Sequence, residues 1–218
     1  MTIQLLLSSK NYSSWSVRPW LVVTHFNIPH EEILANLYIE EDAKERVLAW
    51  NPAGTVPVLR DGELVIGESI AIMEYLAEQN PDNPLWPTAP IARARARAVS
   101  AEMHASFAHV RGEMPMNARG FAPGLNFTDG AYEDIARISE IWRDCRTRYG
   151  DQGDLLFGDF TIADAMYAPV VSRFKTYGIV LDDVCQAYAD ALLGLPACRA
   201  WFELAQAEPG IIDHYELG

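Results

Sequence analysis

The chain has 218 residues, half of them hydrophobic, with 6 Trp, 9 Tyr and 8 Phe. That supply suffices for a buried core over one large or two small domains and argues against disorder. The formal charge of −13 and a pI near 4.7 repel phosphate backbones and anionic headgroups, so nucleic acid and membrane surfaces are poor partners.

No apolar run approaches the roughly 20 residues that cross a bilayer, and Met1-Thr2-Ile3-Gln4 lacks the basic start of a secretory signal. Cys145, Cys185 and Cys198 are an odd count with no CxxC pair. These features predict a cytoplasmic protein with reduced thiols, no metal and no disulfide framework.

Strand and helix signals alternate in the first 80 residues. Ile3 to Leu7 is a short apolar run that predicts a buried strand. Val17, Trp20, Leu21 and Thr24 follow at helical spacing, Glu32 to Leu37 predicts a second strand, and Asp42 to Trp50 a second helix ended by Asn51-Pro52. Thr55 to Arg60 and Glu63 to Ile66 flank Asp61-Gly62. That dipeptide predicts a hairpin with a type I′ turn, which needs positive φ at both central positions. Ser69 then heads an amphipathic helix ending near Asn80. The order β-α-β-α-β-β-α is thioredoxin-like, giving an α/β N-terminal domain over residues 1–80.

Residues 81–90 carry four of the 13 prolines and read as an extended linker. From 91 to 218 the pattern is helical alone, predicting an all-α domain. Helices are expected from about Ile91 to Met114, Asp129 to Tyr149, from Thr161, Val184 to Leu193 and Ala197 to Ala207. Thr161 and Asp164 have the spacing of a variant capping box.

Two short motifs carry chemistry. Val56-Pro57 heads the third strand, where proline cannot donate to a ladder and suggests a turn or a cis bond. A cis bond would turn the Val56 N–H and C=O outward, to pair with a peptide ligand as an added strand would. Glu68-Ser69 precedes the third helix. Ser69 there is a good N-cap, and the same helix end would hold a ligand carboxylate while Glu68 receives an ammonium. Each motif alone has an ordinary structural explanation.

Their order and spacing together resemble the cytosolic glutathione transferase superfamily, over essentially the whole chain. The family's Asn-Pro, Val-Pro and Glu-Ser pattern stands here as Asn51-Pro52-Ala53-Gly54-Thr55-Val56-Pro57 and Gly67-Glu68-Ser69-Ile70-Ala71-Ile72. Phe157 to Asp164 resembles its N-capped buried helix. The resemblance implies a thioredoxin-like domain, an all-α domain, glutathione as cosubstrate, a role in detoxification and a homodimer. It also implies that Val56, with Pro57, meets the cysteinyl backbone of glutathione, and that Glu68 and Ser69 meet its γ-glutamyl end.

The activating group is expected after the first strand. A hydroxyl donor beside a helix N-terminus favours the thiolate, which is the nucleophile. Asn11-Tyr12-Ser13-Ser14-Trp15-Ser16-Val17-Arg18 resembles the zeta-class run Ser-Ser-Cys-Ser-Trp-Arg-Val-Arg, and an ungapped placement sets Asn11 on the family's catalytic serine. Pro19, comfortable only in a first helical turn, suggests a shift that brings Ser13 or Ser14 into the role. Catalytic candidates are therefore Ser13, Ser14 and Asn11, and the serines also fit simple loop capping. Arg18 reads as a structural ion-pair residue, and Arg93, Arg95 and Arg97 as a solvated helix face. Met103, Phe107 and Arg111, with His104, are candidates for an electrophile pocket. The three cysteines read as buried fillers, and their absence from the N-terminal domain excludes a cysteine-based thioltransferase. Conjugation of glutathione to a small electrophile leads; a maleylacetoacetate-type cis-trans isomerase and a non-catalytic binding protein are the alternatives.

Overall fold

The computed structural model describes residues 2–216; Met1, and the Leu217 and Gly218 that end the expected helical domain, lie outside the described residues. Strand β1 (Ile3–Leu7) pairs in parallel with β2 (His30–Leu34) and antiparallel with β3 (Val58–Asp61), which pairs antiparallel with β4 (Leu64–Ile66), giving the order β2-β1-β3-β4. Side chains alternate across a strand, and β1 is apolar on both faces. Leu5 and Leu7 pack with α1 (Val17–His25) and α3 (Ser69–Gln79), while Leu6 packs with Val47 of α2 (Ala43–Trp50). The result is a thin layered domain of the thioredoxin-like type.

Two details differ from the sequence expectation. The second strand ends at Leu34 rather than Leu37, because β1 also ends: the Ala35 N–H donates to the Leu7 carbonyl at 2.8 Å and the Leu37 N–H turns to the Ser8 hydroxyl at 3.0 Å. The β3–β4 turn is centred on Gly62-Glu63, since Asp61 pairs with Leu64. Only Gly62 takes positive φ (59°), which fits glycine at the first central position of a II′ turn rather than the expected type I′.

The second domain is helical: α4 (Pro90–Ala105), α5 (Ala108–Glu113), α6 (Asp129–Tyr149), α7 (Ile162–Tyr177), α8 (Asp183–Gly194), α9 (Pro196–Ala207) and a 3₁₀ turn over Asp213–Tyr215. The expected single helix to Met114 is broken at Phe107, whose φ is +63°. The break leaves carbonyls at the end of α4 without helical partners. Arg111 Nη1 answers them, donating to the carbonyls of Met103, His104 and Ser106 at 3.3, 2.9 and 3.2 Å. Arg93, Arg95 and Arg97 do more than solvate a face: they bond the Pro87 and Thr88 carbonyls, Asp144 and Glu74.

Helix α7 is buried along nearly its whole length and opens on a capping box between Thr161 and Asp164. Burial pushes the Asp164 carboxyl up to about 6, although it accepts hydrogen bonds from Leu156 and Thr161. The linker docks on this helix start, with the Ile162 N–H donating to the Leu85 carbonyl at 2.9 Å. Core residues of both domains, Leu5 and Leu21 with Val99 and Tyr167, form one continuous cluster. The cysteines are buried and their thiols are pushed up to about 12 by desolvation, as fillers require. Among the described residues no helix is long and apolar enough to cross a membrane.

Candidate functional site

The domains meet around a cleft of about 1050 Å³. Four chain segments of the first domain converge on it: the loop from β1 into α1, the stretch from β2 into α2, the head of β3 and the start of α3. Val56 and Pro57 line the cleft, and the bond between them is cis. Lys44 of α2 closes the same side, with Nζ donating to the Gly54 carbonyl at 2.8 Å.

Glu68 and Ser69 also line the cleft. Glu68 is the N-cap of α3, in extended conformation, and Ser69 is the first helical residue. Ser69 is therefore not the cap the sequence suggested. Its hydroxyl is buried (1% exposed) and finds no hydrogen-bond partner among the described residues. A hydroxyl spent on capping could not serve a ligand; this one is unspent, at the positive end of a helix. Glu68 is largely exposed, and its nearest cationic candidate is His104 Nε2 at 3.7 Å. Burial lowers the His104 pKa, with Arg18 and Arg111 adding to the effect against Glu68. The lowered pKa makes His104 a poor counter-ion at pH 7, which leaves the Glu68 carboxylate open to another partner.

Of the three candidates for sulfur activation, the cleft is lined by Ser13 and Ser14, and Asn11 is not among its lining. Asn11 is fully buried (0% exposed). Its Nδ2 donates to Asn117 Oδ1 at 2.9 Å, its Oδ1 accepts from the Arg119 N–H at 2.9 Å, and its own N–H donates to Glu208. It joins the β1–α1 loop to the segment after α5 and to the C-terminal tail, so the ungapped placement on the catalytic serine does not bring it to the site. Ser13 lies 2.8 Å from Ser16, hydroxyl to hydroxyl, and accepts the Ser16 N–H at 3.3 Å. That second bond caps the turn leading into α1. The Ser14 hydroxyl has no hydrogen bond among the described residues.

The electrophile-pocket candidates divide in the same way. Met103 and Phe107 are buried core residues, whereas Arg111 and His104 line the cleft. Arg18 makes no ion pair among the described residues; its guanidinium stacks on Trp15, 4.2 Å from the ring centroid. Sequence reasoning missed Trp15, Lys44, Arg173 and the tail residues Ile212 and Tyr215, all of which line the cleft. An arginine within the apolar run of α7 was a readable signal; the tail offered none. The tail is fastened by Glu208, which accepts from Ser9 Oγ at 2.6 Å, and by Tyr12, whose hydroxyl is bonded to Glu216 and to Arg119.

Comparison with known proteins identifies the frame. The models "Glutathione S-transferase, N-terminal domain" and "Glutathione S-transferase, C-terminal domain" match residues 12–79 and 92–204. The chain is 33% identical to "Glutathione S-transferase GstB" of Escherichia coli K12 over 145 residues, 65% of each chain. It is 38% identical over 160 residues to a "Stringent starvation protein A homolog" of Pasteurella multocida, covering 73% of this chain and 69% of that one. Across the first curated relatives it matches, the chain spans 39%, 60% and 65% of their length. Among solved structures, a glutathione transferase homolog from Burkholderia with bound glutathione superposes with a TM-score of 0.73 at 20% identity, over 95% of this chain and 100% of that one. With its cleft built at the junction of a thioredoxin-like sheet and a helical domain, the chain belongs to the glutathione S-transferase family.

Proposed function

We propose that the protein is a glutathione transferase that adds the glutathione thiolate to a small electrophile. The observation that carries this reading is the unspent Ser69 hydroxyl, at a helix N-terminus, in the same cleft as Val56 and Ser13. Ser69 and the first amides of α3 receive the γ-glutamyl carboxylate, and Glu68 receives its ammonium. The Val56 backbone pairs with the cysteinyl residue, which directs the sulfur toward the turn that opens α1. There the Ser13 proton swings from Ser16 to the sulfur, and Ser16 donates in its place to the Ser13 oxygen. Both the hydroxyl and the helix end favour the charged thiolate over the thiol. The thiolate attacks an electrophilic carbon, the C–S bond forms, and the leaving group departs with its electron pair. The family's usual homodimer and a cytoplasmic setting belong to the same reading.

A glutathione-binding protein without transferase activity is the second reading, favoured by the engagement of Ser13 with Ser16 and by the similarity to a protein named for stringent starvation. Calorimetry with glutathione on wild type and Ser69→Ala, paired with conjugation assays on wild type, Ser13→Ala and Ser14→Ala, separates the two. Binding that weakens in Ser69→Ala, with turnover lost in Ser13→Ala, is expected. Binding without turnover selects the second reading, turnover lost only in Ser14→Ala moves the role to its neighbour, and no binding removes both readings.

A further inference from the structure

The wall of the cleft that belongs to the helical domain carries Arg111 from α5 and Arg173 from α7. Arg173 is 6% exposed and spends Nε and Nη1 on the carbonyls of Met114 and Pro169, at 2.6 and 3.2 Å. Arg111 spends Nη1 on the end of α4 and lies over Trp15, 4.6 Å from the ring centroid. A third guanidinium, that of Arg18, lies on the same Trp15 ring. Arg18 is 2% exposed, and its Nε and Nη1 find no hydrogen-bond partner among the described residues.

None of the three bonds a carboxylate among the described residues. Arginines elsewhere, such as Arg95, Arg119 and Arg137, reach carboxylates at 3.0, 3.4 and 2.8 Å. Like charges gathered away from water repel one another and want an anion. The proton affinities report the same conflict: burial lowers the Arg18 pKa well below its usual value and Arg111 and Arg173 add to the fall, while Arg173 is brought to about 10. A chain of net charge −13 has carboxylates in excess, yet among the described residues Glu68 is the carboxylate whose charge chiefly offsets this group at Arg18.

We infer that Arg111 and Arg173, backed by Arg18 behind Trp15, form an anion-binding wall that selects electrophiles carrying a carboxylate. This inference rests on the transferase reading for its reaction but not for its binding site. The free N–H groups of Arg111 and Arg173 meet the carboxylate and orient the reacting carbon toward the sulfur held by the first domain. Arg18 supplies field rather than contact. Glutathione itself carries carboxylates, and Glu68 lies close enough to be felt by Arg18, so the test separates the two sources of the anion.

Two electrophiles with the same reactive ring suit the test: 4-chloro-3,5-dinitrobenzoate and its methyl ester. In each, the thiolate displaces chloride, which leaves with the bonding pair. The ester is intrinsically the faster of the two, because its para carbonyl withdraws more strongly than a carboxylate, so each rate is divided by the uncatalysed one. On that scale wild type is expected to prefer the acid. The acid-to-ester ratio of kcat/KM falls about tenfold in Arg111→Met, the scale of a lost charge-assisted hydrogen bond. It falls about threefold in Arg18→Met, the scale of a lost nearby charge. Arg18 has no hydrogen bond among the described residues to lose, so this variant keeps the test open should Arg111→Met fail to fold. An unchanged ratio in Arg18→Met overturns the proposal. So does a rise in the KM for glutathione that is equal with both electrophiles, since the anion held would then be glutathione's own. If neither compound is conjugated, calorimetry of unreactive 3,5-dinitrobenzoate without glutathione decides: binding weakened in both variants upholds the wall, and no binding to wild type overturns it.

Discussion

Ser13 and Ser16 face each other hydroxyl to hydroxyl across 2.8 Å at the turn that opens α1, and Ser16 also accepts the Ser8 N–H at 3.0 Å. The Ser13 oxygen is thereby fixed at the cleft wall, with a neighbour able to donate to it when its own proton is drawn to a thiolate. Ser13→Ala removes that donor. We predict a fall in kcat/KM of roughly 10- to 100-fold, the scale of one hydrogen bond to a charged group, with glutathione affinity little changed. The acid limb of the rate profile moves to higher pH, because the thiolate is then less favoured; steady-state kinetics across pH checks this.

Ser69→Ala tests the other end of the ligand. Its hydroxyl has no partner among the described residues, so thermal stability is expected to hold while glutathione affinity drops about tenfold, a charge-assisted hydrogen bond being worth about 1.5–3 kcal/mol. Calorimetry and a melting curve on one preparation check both halves.

Arg18→Met is expected to stabilise the fold by about 1–4 kcal/mol, because methionine fills the same volume without a buried charge. Denaturant unfolding measures this. A loss of stability would mean that the Trp15 stacking outweighs the charge.

Asp164 gives a pH prediction of unusual sign. Its folded-state pKa is raised by burial from 3.8 to about 6. The folded state therefore holds this proton where the unfolded chain has lost it, and stability falls as pH rises from about 4 through about 6. The span is about 3 kcal/mol, from 2.2 pK units at 1.36 each. Melting of wild type against Asp164→Asn should show their difference narrowing, in pH, to a constant above that window.

Much of the frame was legible in the residues. Leu5, Leu6 and Leu7 announce a strand buried on both faces, Thr161 and Asp164 mark the start of the buried helix, and Val56-Pro57 with Glu68-Ser69 places two sides of the cleft. What sequence could not show depends on contacts between distant segments. Asn11 reads as a catalytic candidate because local alignment cannot see Asn117 and the Arg119 N–H, which occupy the two ends of its side-chain amide. The break at Phe107 was hidden in a helical pattern, since the Arg111 that answers the orphaned carbonyls is itself a good helix former. Ser69 was placed one residue off as a cap, and that single step changes its hydroxyl from spent to available.

The central claim is that this cleft holds glutathione and favours its thiolate. Titrating the ultraviolet thiolate absorbance of glutathione bound to wild type, Ser13→Ala and Ser69→Ala tests it most directly. We predict a saturable signal whose pKa lies about one to two units below that of free glutathione in wild type. That shift is lost in Ser13→Ala, and the signal needs more glutathione to saturate in Ser69→Ala. No saturable thiolate signal in wild type, or one identical in all three proteins, would contradict it.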